Sequence, residues 1–480
     1  MLDEVPYSAR MKQVHLRRWR IVIGLWLVMG TWIVPTVPIA GADRKPNILL
    51  MVGDDMGYAD IGVHGATDIR TPHLDALARA GVRFSSGYVS GPYCSPTRAA
   101  LMTGRYQQRF GHEFNSGPPE AASAAFGLPL TETTLADRLK AAGYRTGMVG
   151  KWHLGFRPEL HPMKRGFDEY FGFLGGAHSY LDARSEKANP ILRGTEAVDE
   201  PAYLTDAFRR EALAFIDRRA AGTDPWFLYL AFNAVHTPMH ATNNYLDRYK
   251  DIADERRRTY AAMMSAMDDA IGAVMQKLRD RNIEEQTLIF FVSDNGGPPI
   301  NGSSNGALHG HKTSTWEGGV RVPFLMQWKG QLPAGKVYAE PVIQMDLHAT
   351  ALAAAGMTDQ KKLKLDGVDL APYVKGGKKG PPHEALYWRF GPQMAIRMGD
   401  WKLLKAFEAR GIASGGFERR ATDADRAGAQ LFNLATDMGE TVDLAGKQPA
   451  KVKALEAMWQ KWNATLEEPR WLPGERRRGR

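Results

Sequence analysis

Four apolar runs in this chain each end on side chains that can bind ions or move protons. "NILLMV" (Asn47 to Val52) runs into Gly53-Asp54-Asp55, and "TLIFFVS" (Thr287 to Ser293) runs into Asp294-Asn295. "RTGMV" (Arg145 to Val149) leads to Lys151 and His153, and "WFLYLAF" (Trp226 to Phe232) leads to Asn233 and His236. Asp54, Asp55, Asp294 and Asn295 offer only oxygen ligands, which suits a hard divalent cation and argues against zinc. Calcium tolerates such an irregular, carboxylate-rich site better than magnesium. Lys151, His153, His236, Lys312 and Arg98 would surround an anion with cationic and proton-donating groups, so metal and cations together point to an anionic ester. A carboxylate or amide after a strand ordinarily caps a loop. Four such endings in one chain favour a shared site.

Cys94 is the single cysteine in 480 residues and stands in "GPYCSPTRAALMTG" (Gly91 to Gly104). A helix is expected to begin near Pro96, with Cys94 just ahead of it, and to stop at Gly104. Its first N–H groups and positive dipole end would then face the same point as the carboxylates. Taken alone, a lone cysteine reads as an inert buried thiol.

The elements that must hold these residues are strands alternating with helices. Each of the four runs is short, apolar and bounded by polar residues, as a buried parallel strand should be. Between them lie helical patterns: "HLDALARAG" closing at Gly81, "TLADRLKAAG" closing at Gly143, and "RRTYAAMMSAMDDAIGAVMQKLRD" (Arg257 to Asp280) ahead of the Asp294 strand. The reading is an α/β fold with a large, mostly parallel or mixed central sheet flanked by helices. Such sheets carry their sites beyond the carboxyl ends of the strands. Met263, Met264 and Met267 read as core packing on the longest helix.

Composition narrows the class. The formal charge of +9 is dispersed: residues 1–42 hold five Lys/Arg against two acids, and Arg476, Arg477, Arg478 and Arg480 crowd the end, so no nucleic-acid partner is expected. Arg17, Arg18 and Arg20, the apolar "IVIGLWLVMGTWIV" and Ala40-Gly41-Ala42 form an export-signal pattern covering 1–42. An uncleaved anchor is the alternative, but Pro35 and Pro38 interrupt the run before the roughly 20 apolar residues that spanning requires. Stable membrane insertion is therefore not expected. A single cysteine cannot pair within its own chain, which favours a bacterial periplasmic or extracellular protein over a lysosomal one.

"CSPTRAALMTG" resembles the maturation signature of the sulfatases, and "GYRTGMVGKWHLG" (Gly143 to Gly155) resembles their second signature. "NILLMVGDDMGYADIGVHG", "TPHLDALARAGVRF", "VSDNGG" and "HKTSTWEGGVRVP" (His311 to Pro323) are similar to further blocks of that family in the same order. The resemblance implies an alkaline-phosphatase-like sheet and a type I sulfatase, in which Cys94 is oxidised to formylglycine by a maturation enzyme. It implies a calcium site of Asp54, Asp55, Asp294 and Asn295 together with residue 94. One hydroxyl of the hydrated aldehyde, held by the metal and Arg98, would attack sulfur. Lys151 would balance the sulfate charge, His236 and Lys312 would protonate the departing alcohol, and His153 would deprotonate the second hydroxyl to expel sulfate.

The remaining chain is expected to divide at about residue 375: a catalytic domain over 43–375, a smaller antiparallel α+β subdomain over 376–470, and a basic tail over 471–480. "EALYWRF", "MAIRMGDWKLLKA" and "QLFNLA" supply the strands of the smaller part, and "PAKVKALEAMWQKW" supplies a helix with Trp459 and Trp462 on its apolar face. The Gly- and charge-rich segment between Ala406 and Gln430 reads as a loop or an insertion. Loop aromatics and histidines, including Tyr93, Trp152, Tyr180, His240 and Trp316, suit a sulfated carbohydrate, with His178, His309 and His311 as candidate sugar contacts. Two alternatives remain at this level: a phosphate or phosphonate ester hydrolase of the same superfamily, and an exported glycan- or anion-binding protein without turnover.

Overall fold

Strand Asn47–Gly53 is buried at every position, because helices cover both faces of the sheet in which it sits. Its side chains alternate between two cores: Ile48, Leu50 and Val52 join one apolar cluster, and Leu49 and Met51 join the other. The same alternation divides Phe227 and Tyr229 from Leu228 and Leu230, and Leu288 and Phe290 from Ile289 and Phe291. A continuous apolar run is therefore what this sequence needs at its centre.

The computed structural model describes residues 44–117, 126–406 and 428–472. The expected export signal (1–42), nearly all of the 406–430 segment and all but the first two residues of the basic tail lie outside the described residues. From Lys45 onward the described residues form one compact unit.

Among the described residues the large sheet has ten strands, in the order Lys336–Tyr338, Val82–Phe84, Phe324–Gln327, Thr287–Ser293, Asn47–Gly53, Trp226–Ala231, Arg145–Lys151, Glu169–Phe173, Leu192–Arg193 and Glu196–Ala197. The five strands from Thr287–Ser293 to Glu169–Phe173 are mutually parallel, and antiparallel pairs occur on either side of them. Helices Glu255–Asp280, Leu204–Ala220 and Pro72–Ala80 cover one face, with Met263, Met264 and Met267 fully buried. Helices Cys94–Thr103, Leu135–Ala141 and Met345–Ala354 cover the other.

Register decides where the chemistry falls. Gly53 pairs with Ser293, Val52 with Ala231, and Ala231 with Gly150. Asp54, Asp294, Asn233 and Lys151 therefore emerge side by side at one edge. Backbone bonds from Asp54 N–H to the Ala234 carbonyl and from Asp294 N–H to the Gly53 carbonyl extend the pairing just beyond the strands.

A second sheet, with four antiparallel strands among the described residues, Leu386–Phe390, Gln393–Met398, Trp401–Lys405 and Gln430–Asn433, packs against helix Pro449–Asn463. Trp462 stacks on Tyr387 at 5.1 Å and the Trp459 indole donates to the Trp388 carbonyl, as an apolar helix face would. This sheet is not a detached module: Trp388, Ala395, Leu404 and Phe432 belong to the same core as the Cys94–Thr103 helix.

Lys402 fastens the two parts electrostatically. Fully buried, it lies 2.9 Å from Glu317 and 2.8 Å from Glu440, and Glu440 also accepts the Glu317 N–H at 2.7 Å. Replacing Lys402 with Met would leave two buried carboxylates without their shared cation. Loss of one partner of a buried pair costs about 3–5 kcal/mol, so the urea midpoint of Lys402→Met should fall by that equivalent. A midpoint matching the unsubstituted protein would show that this cluster does not anchor the second sheet.

Candidate active site

Ten of the residues singled out by type and position converge at the sheet edge. Asp54, Asp55, Asp294, Asn295, Cys94, Arg98, Lys151 and His153 are each at most 5 % exposed, and Lys312 is 7 % exposed. Cys94 Sγ sits 3.7 Å from Asp54 Oδ1 and 3.9 Å from Asp55 Oδ1. Ligand atoms of Asp54, Asp55, Cys94 and His236 all lie within 4.8 Å of one another.

Helix Cys94–Thr103 starts two residues earlier than the sequence suggests, so Cys94 is its first residue and Pro96 lies inside the first turn. The reason is that the first helical N–H groups have no partner within the helix, so proline there removes nothing. Gly104, at φ +70°, ends the helix in the left-handed region, as expected.

Three carboxylates and three cations interlock. Lys151 Nζ donates to Asp54 at 2.5 Å, Lys312 Nζ to Asp55 at 2.7 Å, and Arg98 to Asp294 through Nη2 and Nε at 2.8 and 3.0 Å. His236 Nε2 is 3.5 Å from Asp55 Oδ2. Burial and the neighbouring Asp294 push Asp54 up against the pull of Lys151. Burial works the same way on Asp55, but Lys312, His236 and Lys151 overcome it and hold that carboxyl well below its ordinary range. Burial alone would lower Lys312, yet Asp55 keeps it protonated. His153 and His236 are both pushed down, by burial first, with Lys151 adding to the effect on His153 and Lys312 to that on His236.

The same cluster tests for a metal. Asn295 Nδ2 donates to Asp55 Oδ1 at 2.7 Å, while Asn295 Oδ1 is buried with no hydrogen-bond partner. An orphaned carbonyl oxygen among three convergent carboxylates fits a hard divalent cation.

The family model described as Sulfatase matches residues 46–357. The chain belongs to the sulfatase family. N-acetylgalactosamine-6-sulfatase of Canis lupus familiaris is 38 % identical over 385 residues, covering 76 % of this chain and 72 % of that protein. Arylsulfatase J of Mus musculus is 32 % identical over 484 residues, covering 92 % and 80 %. Among solved structures, Ps i-CgsB in complex with k-i-k-neocarrahexaose superposes with a TM-score of 0.81 at 36 % identity, covering 90 % of this chain and 96 % of that one. The protein is thus a sulfatase, an enzyme of sulfate ester hydrolysis on an alkaline-phosphatase-like fold.

Around the sulfatase cluster the candidate sugar contacts have distinct settings. His309 lies flat on Trp316, ring centroids 4.1 Å apart, and is partly exposed. His311 is also partly exposed, with Nδ1 2.9 Å from the Lys312 carbonyl oxygen. His178 is buried against Phe173 at 4.9 Å, its Nδ1 2.8 Å from the Ser179 carbonyl oxygen and its Nε2 without a partner.

Several supporting residues were not legible in the sequence. Asn301 donates to the carbonyls of both Asp55 and Val235, each at 3.1 Å. Gln393 of the second sheet clasps the stretch after Lys312, donating to the Thr313 carbonyl at 2.8 Å and accepting from Thr315 N–H at 3.1 Å. Neither sits in a motif, and their partners are 66 to 246 residues away, so no local signal could have found them. Among the described residues, no helix is long and apolar enough to cross a membrane.

Proposed function

We propose that this sulfatase removes sulfate from a sulfated carbohydrate, using a formylglycine made from Cys94 and a calcium ion held by Asp54, Asp55, Asp294 and Asn295. The observation that carries the reading is the seat of Cys94. It opens a helix within 4 Å of two carboxylates that pair with Lys151 and Lys312. When present, formylglycine supplies a hydrated aldehyde with two hydroxyls at one carbon, and calcium supplies positive charge that acidifies a hydroxyl and draws in a sulfate oxygen.

The side chains of the protein do the rest. Arg98, locked by two hydrogen bonds to Asp294, orients the attacking hydroxyl at residue 94. Lys151 and Lys312, already paired with the acids that would turn to the metal, offer their charge to sulfate oxygens. Lys312 is held protonated, so with His236 beside the same Asp55 it donates to the departing alcohol. His153 is neutral, with a buried Nδ1 that has no partner, which suits a base for the second hydroxyl. A maturation enzyme acting on the linear Cys94 motif is the implied partner. The basic and apolar pattern of residues 1–42 supports export to the periplasm or the extracellular space.

Carbohydrate as the substrate class rests on the names of the relatives and on the rim. One relative is an N-acetylgalactosamine-6-sulfatase, and one similar structure holds k-i-k-neocarrahexaose. His309 stacked on Trp316, His311, and Tyr93 with Lys312 over its ring at 5.4 Å offer polar and aromatic partners to a sugar, whereas His178, buried against Phe173, presents no surface to one.

The test is turnover on one aryl leaving group bearing sulfate, phosphate or phosphonate, beside a panel of sulfated oligosaccharides. Sulfate should be released fastest from the oligosaccharides, and the sulfate ester should exceed the phosphorus esters. His309→Ala should lower kcat/KM for a sulfated sugar by about 10-fold, the equivalent of one lost polar contact of about 1.4 kcal/mol, and change the aryl sulfate little. Good turnover of aryl sulfate with no release from any oligosaccharide would refute the carbohydrate assignment and leave sulfate hydrolysis intact.

A further inference from the structure

The start of the Cys94 helix lacks its own cap. Tyr93, at the N-cap position, supplies no side-chain capping bond. The Asn115 carboxamide takes that place from a loop 20 residues on, accepting the Ser95 N–H at 3.0 Å. The Ser95 side chain, fully buried, sits between two histidines: its Oγ is 2.6 Å from the His153 carbonyl oxygen and 2.7 Å from His112 Nε2.

Proton counting fixes the direction of this chain. Two oxygens 2.6 Å apart need a proton between them, and the carbonyl has none to give. The single hydroxyl proton of Ser95 therefore goes to the His153 carbonyl, and His112 must donate from Nε2 to Ser95 Oγ. Burial pushes the His112 imidazole down to about 3 against the opposing backbone contact at Gly127, so the ring stays neutral, and it is the Ser95 geometry that assigns its proton to Nε2. Neighbouring Cys94 and His153, the nucleophile precursor and the base in the reading above, are thus joined by one hydroxyl whose orientation His112 sets. The backbone at His153 lies in the left-handed region, at φ +57°, so it depends on such ties to keep its place.

A third layer comes from the far end of the described chain. Trp471, 4 % exposed, sets its ring edge-on to His112 at 4.8 Å and donates its indole N–H to the Asn115 carbonyl at 2.9 Å. The segment carrying it runs along residues 108–111, with Glu467 N–H on the Gln108 carbonyl and Arg470 N–H on the Gly111 carbonyl. Gly111, at φ +68°, admits this approach, because a Cβ there would stand 2.6 Å from the Arg470 side chain. Arg389 adds a second fastening, pairing with Glu113 at 2.8 Å and donating to the Glu467 carbonyl.

We propose that His112, backed by Asn115 and Trp471, is a positioning residue for the reaction: through Ser95 it fixes the distance between residue 94 and His153. The inference rests on the roles given to Cys94 and His153 above. The His112 donor bond would act on the chemical step, because Lys151 and Lys312, which meet the sulfate, take no part in it.

The experiment compares His112→Leu, His112→Gln and Trp471→Phe in the full chain. It measures kcat and KM for a small aryl sulfate, inhibition by inorganic sulfate, melting temperature, and formylglycine content at residue 94 by peptide mass spectrometry. Per formylglycine, His112→Leu should lose about 10- to 100-fold in kcat, the scale of a misplaced reacting group, with KM and sulfate inhibition within about 2-fold. His112→Gln, whose amide can donate from a similar point, should recover to within about 5-fold. Trp471→Phe keeps the ring edge and loses the N–H, so it should lower kcat by about 3-fold at unchanged KM.

Wild-type kcat in His112→Leu overturns the proposal. So does an equal fall in both His112 variants accompanied by matching changes in KM, sulfate inhibition and melting temperature. If His112→Leu does not fold, the other two decide: recovery in His112→Gln with a kcat-only loss in Trp471→Phe upholds it, and wild-type kcat in Trp471→Phe overturns it. The formylglycine content of the wild type reports on the catalytic reading, and the ratio of variant to wild-type kcat reports on the positioning chain, so the two fail separately.

Discussion

Protein in which Cys94 is replaced by alanine should turn over sulfate esters slower by about 10⁴-fold or more, the range seen when a covalent nucleophile is removed. The thiol itself is poorly placed to act. Burial pushes it up, with Asp294 and Asp54 adding to the effect, so it stays protonated despite Lys151 and Lys312. The Asp55 carboxylate, 3.9 Å away, would oppose a thiolate further. The same seat suits an oxygen nucleophile beside a cation. Cys94→Ser, produced without a maturation enzyme, offers one hydroxyl in place of two. It should therefore release at most about one equivalent of alcohol per site and stop, because a serine sulfate has no second hydroxyl to expel the sulfate. Continuous turnover by wild-type protein whose residue-94 peptide is entirely thiol would end the formylglycine mechanism.

Asp294→Asn should lower divalent-ion affinity by at least about 100-fold, the upper range for a change in the partners around a metal. The change keeps the volume and removes one of three converging charges. It also weakens the anchor of Arg98, whose Nη2 and Nε both donate to Asp294 Oδ2. Activity should fall with the metal. In the wild type, chelation should abolish turnover and calcium should restore it. Calcium at 100 times its dissociation constant should stabilise the fold by about 2.7 kcal/mol, seen as a rise in melting temperature that Asp294→Asn does not share at the same concentration. A variant that keeps full activity and contains no divalent ion by elemental analysis would show that Asp294 is not a ligand.

Much of the site was legible because its residues directly follow hydrophobic runs. Asp54, Lys151, Asn233 and Asp294 are each within two residues of a strand end, and a parallel sheet brings such ends to one edge. The Cys94 motif is local for a related reason: a helix start within a few residues places Cys94 and Arg98 one turn apart on one face. The fold class followed from the same pattern, since runs buried on both faces need helices on both sides. The small sheet followed from short alternating runs after residue 385, although its sharing of the main core did not, because shared burial is a property of two surfaces in contact.

The sequence by itself determined the chemical inventory: four oxygen-bearing side chains after two strands, one cysteine in a helix-opening motif, and Lys151 and His236 after two other strands. The tertiary structure decided the pairing, which is Lys151 with Asp54, Lys312 with Asp55, and Arg98 with Asp294. It also decided the supports, among them Asn301 and Gln393, His112 on Ser95, Trp471 on Asn115, and Lys402 between two glutamates. The physical reason is one of range. Strand and helix preferences arise from neighbours two to four residues apart, so they leave a periodic trace in the chain. A hydrogen bond between residues far apart in sequence depends on register and packing angle, and it leaves no trace at either position.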